Sequence, residues 1–240
     1  MSDAVVSLQL DVGNSGAKWR LVSGDAVLDR GRYPDALPEP GAAVGQVLVS
    51  SVASASAEES LASTLRERYG VEPWFARTEA RSGDLVNSYG DPARMGVDRW
   101  LAMLGARARH CGRLCVVDAG SALTIDLVGA DGVHEGGFIV PGVDLMERAL
   151  LLDTDRVRFD EDIDYALTPG RSTAEAVRHG IALASTGAVA TALDRSGGES
   201  PALFFCGGGG RRLMAFLDRG GDWVPDLVFE GLEVMAAARA

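Results

Sequence analysis

Hydrophobic residues along the chain follow two patterns: short apolar runs closed by small or charged residues, and longer stretches with an apolar residue every three or four positions. The first run, LQLDVGNSGAKWRLV over residues 8–22, is cut by Asp11 and turns through Gly13, Asn14 and Ser15 before strand-like residues resume. Val5–Asp11 and Ala17–Val22 read as a β-hairpin, with Gly13 and Gly16 giving the turn its freedom. Ala26–Tyr33 continues as a third strand and Gln46–Val52 is a short apolar one. Ala57–Tyr69 has helical spacing, with Leu61 and Leu65 four apart. Val71–Phe75 reads as an edge strand weakened by Pro73. The polar stretch Ala76–Met95, with Gly83, Gly90 and Pro92, reads as irregular loop, and Val97–His110 returns to helical spacing.

The second half starts again with strands at Leu114–Asp118, Leu123–Val128 and Gly137–Val140. Pro141 and Gly142 stand just before a helix running to residue 151, and Ser172–Leu193 is a long helical pattern with Thr173 near its start and Glu175 in its first turn. Ala202–Cys206 is a buried strand entering the glycine run Gly207–Gly210; Arg211–Leu217 and Glu230–Ala238 read as helices. The stretch LCVVDAGSALTIDLV over residues 114–128 repeats the plan of the first hairpin, with Asp118 almost half a chain length beyond Asp11. An Asp-x-Gly turn alone is unspecific. Two of them opening two similar halves predict a duplicated α/β architecture whose halves, residues 1–110 and 111–240, face a cleft.

Composition narrows the function classes. The 240 residues suffice for a sizeable core, and 47% hydrophobic with 24% charged residues is ordinary globular usage. A formal charge of −11 argues against general affinity for nucleic acid or anionic membranes, without excluding an anionic ligand at a local site. No stretch reaches membrane-spanning length, so a cytoplasmic location is the expectation. Three cysteines suit a reducing compartment. His110, Cys111 and Cys115 lack a second ligand pair at zinc spacing, and packing is the expected role of Cys115.

The two hairpins suggest a chemistry. A tight glycine-containing turn aims backbone N–H groups at a common point and lets a phosphate approach closely. An aspartate at the strand end can hold a hydrated cation that neutralises phosphate charge. The chain has neither a P-loop nor a strand–GxGxxG–helix unit. CGGGGRRL, residues 206–213, is either a bed for a purine ring or a close-packed turn, and beside two phosphate hairpins it favours adenosine. MGVDRW, residues 95–100, places Asp98 and Arg99 at a helix start. Asp98 there is either a base for a substrate hydroxyl, with Arg99 gripping a carboxylate, or a dipole-stabilised helix-end residue beside a solvated Arg. The residues alone leave both readings open.

The segments DVGNSGAKW, NSYGDPARMGVDRW, VVDAGSALTIDLV, DGVHEGGFIVPGVDLM, STAEAVRHG, FFCGGGG and PDLVFEGL, in this order and spanning nearly the whole chain, resemble the type III pantothenate kinases. The resemblance implies an actin-like (ribonuclease H-like) fold of two duplicated α/β halves facing a nucleotide cleft, in the group of sugar kinases, acetate kinase and actin. It implies phosphorylation of pantothenate by Mg-ATP, the first committed step toward coenzyme A. By the same resemblance Asp11, Val12, Gly13, Asn14, Ser15, Gly16, Ala17 and Lys18 form the first phosphate hairpin, and Asp98 is the catalytic base. Tyr89, Gly96, Val97, Arg99 and Thr173 match positions that enclose pantothenate, Arg99 facing its carboxylate. Asp118 matches a ligand of a monovalent cation, K⁺ or NH₄⁺, and Ser121 a nucleotide-contacting threonine. A homodimer whose partner shapes the substrate pocket is also implied.

Two departures from the family pattern are small. Ser121 replaces the usual threonine and keeps the hydroxyl; Cys206 stands where threonine or serine often precedes the glycines. Neither removes a charge the reaction needs. Two other classes compete: a nucleotide-binding regulatory or accessory protein on the same fold without kinase activity, and a different small-molecule kinase or phosphohydrolase. The set Tyr89, Asp98, Arg99 and Thr173 favours the enzyme, because a pure binding module has no use for it.

Overall fold

The computed structural model describes residues 5–13, 16–39, 44–153, 159 and 161–239. The chain divides into two units, one of Met1–Arg109 with Asp226–Ala240, the other of His110–Pro225.

In the first unit, β1 (Val6–Gly13), β2 (Gly16–Ser23) and β3 (Ala26–Tyr33) form an antiparallel meander. β4 (Val44–Ser51) runs parallel to β1, and β5 (Trp74–Phe75) parallel to β4, giving the order β3-β2-β1-β4-β5. Leu8, Leu10, Trp19, Leu21, Val47 and Val49 pack with Leu61 and Leu65 of α1 (Ala55–Tyr69). Ser54 caps α1 by accepting from Ala57 N (3.4 Å), and Gly70 ends it in the left-handed region (φ 68°).

Polar residues of the β1–β2 hairpin are buried too. Gln9 and Arg20 bond each other (2.8 Å), and Gln9 also donates to Glu233 of α6 (Leu227–Ala237; 2.8 Å). The Arg20 guanidinium pairs with Glu233 (2.9 Å) and lies 4.9 Å from the Phe229 ring centroid. The last helix therefore packs on the first sheet, whereas the expected boundary after residue 110 left it with the second half. Its partner is α2 (Val97–Arg109): a Cβ on Gly231 would stand 1.8 Å from Leu101 O, and one on Gly105 2.4 Å from Leu227 O. Only glycine permits this approach.

The second unit repeats the plan. β8 (Leu114–Ala119), β9 (Ala122–Val128) and β10 (His134–Pro141) are antiparallel; β11 (Ala202–Cys206) runs parallel to β8 and β12 (Asp222–Trp223) parallel to β11. The order β10-β9-β8-β11-β12 matches the first sheet element for element, as the duplicated halves predict. Val117, Ile125 and Phe205 pack with Val189 and Ala192 of α4 (Thr173–Arg195) and with Leu213 and Leu217 of α5 (Gly210–Leu217). α3 (Val143–Asp153) precedes α4. Cys115 is buried in this core.

Three details differ from the sequence reading. The stretch 76–95 holds a two-residue-per-strand hairpin, β6 (Arg81–Ser82) with β7 (Leu85–Val86), and a 3-10 turn at Pro92–Arg94 capped by Asp91. These pieces are too short to show a period. α6 starts at Leu227, earlier than the expected Glu230, without a side-chain cap from Asp226. That carboxylate is engaged by Arg20 and Arg30 (3.4 Å each). β12, only two residues long, was not expected. Among the described residues no helix is long and apolar enough to cross a membrane.

Candidate functional site

In the first unit, the strand–turn–strand of β1 and β2 brings Asp11 opposite Lys18, Val12 opposite Ala17, and Gly13 opposite Gly16. Gly16 adopts φ 141°, which side chains rarely adopt, so glycine closes this hairpin. Asn14 and Ser15, the expected tip of the phosphate hairpin, lie outside the described residues. Asp11 also stands beside Ser50 on β4, and the buried Ser50 hydroxyl donates to Asp11 Oδ1 (3.1 Å). Burial, and then the negative charge of Asp98, push the Asp11 carboxyl up to about 6, although Ser50 and Lys18 pull it down. The hairpin and the start of α2 thus bring two carboxylates into each other's field.

The second of these, Asp98, sits in the first turn of α2, where the helix dipole favours a negative charge. Its Oδ1 accepts from Arg99 N (2.8 Å), and the Gly96 carbonyl accepts from Trp100 N (3.2 Å) to open the helix. A Cβ on Gly96 would lie 2.5 Å from Asp98 Oδ1, so glycine makes room for the carboxylate. Val97 is buried, and Arg99 is only 6% exposed. Arg99 Nη1 donates to Tyr89 Oη (3.0 Å), with the guanidinium 5.8 Å from the ring centroid. Tyr89 N in turn donates to Asn87 Oδ1 (2.9 Å). The structure therefore gathers Tyr89, Gly96, Val97, Asp98 and Arg99 around one helix start. Of the expected pantothenate set, Thr173 alone belongs to the second unit, exposed in the first turn of α4 behind its cap Ser172.

The second unit's hairpin turns at Gly120, whose N–H donates to Ala122 O (2.9 Å), leaving Ser121 exposed. Asp118 pairs in register with Thr124 and Cys206. A Cβ on Gly207 would stand 2.2 Å from Asp118 Oδ1 and 2.6 Å from Ala119 O; Gly207 also has φ 75°. Carboxylate and carbonyl oxygens therefore converge at Gly207, hard ligands of the kind an alkali cation takes. Gly142, before α3, is equally confined: its Cβ would meet Gly120 O at 2.4 Å.

Beside Gly120 and Gly209 lies a small pocket walled by Leu123, Leu213 and Phe216. Arg212 and Tyr165 line it as well, the guanidinium 4.2 Å from the ring centroid. Sequence reading found the glycines of this pocket but not Tyr165, which lies in the aperiodic stretch before α4, nor Ser50, whose link to Asp11 is a cross-strand register. Among the described residues no cluster of three or more Cys, His, Asp or Glu is arranged to hold a metal ion. A divalent ion brought by nucleotide phosphates needs only one or two carboxylates, and Asp11 near Asp98 fits that requirement.

Residues 34–195 match the family described as type III pantothenate kinase, more than half of the chain. A type III pantothenate kinase of Hahella chejuensis is 37% identical over 238 residues, covering 96% of this chain and 97% of the relative. Another from Ectopseudomonas mendocina is 41% identical over 244 residues, covering 95% and 97%. Among solved structures, a candidate 2-dehydro-3-deoxygalactonokinase protein from Sinorhizobium meliloti superimposes with TM-score 0.63 at 16% identity, covering 97% of this chain and 99% of that one. That likeness concerns the fold alone. The family match and the near-full-length identity to the named relatives make the chain a member of the type III pantothenate kinase family.

Proposed function

We propose that the chain transfers the γ-phosphoryl group of Mg-ATP to the hydroxyl of pantothenate, giving 4'-phosphopantothenate and ADP, the first step of coenzyme A biosynthesis. The observation that carries the reading is the buried Arg99, bonded to the half-buried Tyr89, beside Asp98 at the start of α2, in a chain of this family. Arg99 offers a cationic fork suited to the pantothenate carboxylate, oriented by the Tyr89 hydroxyl. Asp98 takes the hydroxyl proton as the oxygen attacks the γ-phosphorus in line and the bond to the ADP oxygen breaks. Gly96 and Val97 shape the floor beside the carboxylate, and Thr173 adds a hydroxyl from α4.

The hairpin from Asp11 through Val12, Gly13, Asn14, Ser15, Gly16 and Ala17 to Lys18 is assigned to the nucleotide phosphates, and Ser121 with the run Gly207–Gly210 to the rest of the nucleotide. Asp11, held ionised only at a cost beside Asp98, is the residue suited to the divalent ion that accompanies ATP. That ion, when bound, neutralises phosphate charge. Asp118, with the oxygens converging at Gly207, is assigned to K⁺ or NH₄⁺. A homodimer and a cytoplasmic location complete the proposal, the latter because a chain with three cysteines suits a reducing compartment.

The test is ADP release by the purified protein with Mg-ATP, with and without pantothenate, in potassium and in sodium buffer, with the product identified by mass. Pantothenate-dependent release with a phosphopantothenate product supports the reading. ATP binding without any pantothenate-dependent release would replace it with the non-catalytic nucleotide-binding alternative.

A further inference from the structure

Two arginines of α2 hold the segment 76–95. Near the helix start Arg99 donates to Tyr89; about two turns further on, Arg107 Nη2 donates to Asp84 Oδ2. The Arg107 side chain is only 6% exposed, whereas that of Asp84 is 60% exposed. A buried guanidinium is costly unless it is paired, so the carboxylate is drawn in to it. The bond to Arg107 in turn holds the Asp84 carboxyl below its ordinary range, which keeps the pair ionised.

Asp84 stands at the turn of the β6–β7 hairpin, beside Gly83 (φ 60°). With two residues in each strand, this hairpin is not stable by itself. It is anchored by Asp84 on Arg107 and by the fully buried Leu85 of β7, the strand that packs against α2. The fixation then passes to Tyr89 through Asn87. Asn87 N donates to Ala80 O (3.0 Å) and its Nδ2 to Glu79 O (3.3 Å), closing the hairpin, while its Oδ1 accepts from Tyr89 N (2.9 Å). Thr78 Oγ1 donates to Met95 O (2.9 Å) and ties the two ends of the segment together just before Gly96.

We propose that the Asp84–Arg107 ion pair positions the substrate grip: it pins the β6–β7 hairpin to α2, so that Tyr89 keeps the Arg99 fork aimed at the carboxylate of pantothenate. Asp84 and Arg107 are positioning residues, acting through Asn87 and Tyr89 and not on the substrate. An ion pair serving only the surface would be removable without any kinetic effect. The inference rests on the pantothenate reading of the previous section and adds the residues that hold Tyr89 in place.

Steady-state kinetics of Asp84 variants test this. Asp84→Ala should raise KM for pantothenate about 3- to 10-fold and leave KM for ATP unchanged. Asp84→Glu, which keeps a carboxylate, should recover most of that loss. Because Asp84→Ala strands the Arg107 charge, the double variant Asp84→Ala/Arg107→Met, which buries no charge, guards against misfolding and should show the same rise. In a Tyr89→Phe background, Asp84→Ala should add no more than about twofold, since the bond through which it acts is already gone; a merely structural effect would multiply in full. Hydrogen exchange of the ligand-free protein should be faster at the Asn87 and Tyr89 amides in Asp84→Ala and unchanged in α1. An unchanged pantothenate KM in the double variant, an equal rise in both backgrounds, or unaltered exchange at Asn87 and Tyr89 would overturn the proposal. A wild type without pantothenate-dependent ADP release would overturn it together with the reading beneath it, and the exchange measurement, which uses no substrate, tells the two failures apart.

Discussion

At the residue scale, the negative charge of Asp98 opposes ionisation of Asp11. The Asp11 carboxyl stands at about 6 against an ordinary 3.8 because of burial and Asp98. Its protonated form is thus favoured by folding: the contribution is full below about pH 4 and is lost as pH rises through about 6. Above that range an ionised Asp11 strains the metal-free fold. Asp11→Asn should raise the unfolding free energy at pH 7.5 by about 1–3 kcal/mol and leave it unchanged at pH 4, read by urea denaturation with a chelator present. The same variant should lose activity, since an amide is a poor ligand for the divalent ion.

Arg99 and Tyr89 allow a second prediction. Tyr89→Phe removes the oxygen that accepts from Arg99 Nη1. The KM for pantothenate should rise about 3- to 10-fold with KM for ATP unchanged, as steady-state kinetics would show. Sequence reading found Asp98 and Arg99 because adjacent residues at a helix start are visible in one window. The Tyr89–Arg99 bond spans a loop and had no signature of its own, so only the family resemblance pointed to Tyr89.

At the scale of elements, close helix contact sets the first unit. Gly231 meets the Leu101 carbonyl where a Cβ would stand 1.8 Å away, so backbone would have to move. Gly231→Ala should destabilise the protein by about 1–3 kcal/mol or more, measured by thermal or chemical unfolding. Gly96→Ala should act differently, because its Cβ meets a carboxylate at 2.5 Å rather than backbone. The Asp98 side chain would be displaced, and turnover should fall with little change in melting temperature. Most strands and helices were legible from period and punctuation, β3 and β11 to the residue. The miniature hairpin β6–β7 and strand β12 were not, because two residues carry no period, and Leu85 is buried by tertiary contact alone.

At the scale of the whole molecule, two copies of one sheet plan are completed unequally. The first unit borrows α6 from the far end of the chain, and α6 supplies Glu233 and Asp226 to the buried Arg20. Truncation after Pro225 would uncover the face of α2 on which α6 packs and would strand that charge, and a buried cation without its partner is strongly destabilising. The truncated chain should lose the cooperative melt of its first unit in circular dichroism. The repeat of Asp-x-Gly hairpins made the duplication readable. The return of α6 was not, since an apolar helix after Pro225 gives no sign of which sheet it covers.

The assignment of Asp98 as the base for phosphoryl transfer to pantothenate is tested by the turnover of Asp98→Asn with Mg-ATP and pantothenate. The variant should fold, bind both substrates and turn over roughly 10²- to 10⁴-fold more slowly than the wild type. Turnover within twofold of the wild type would rule Asp98 out as the base.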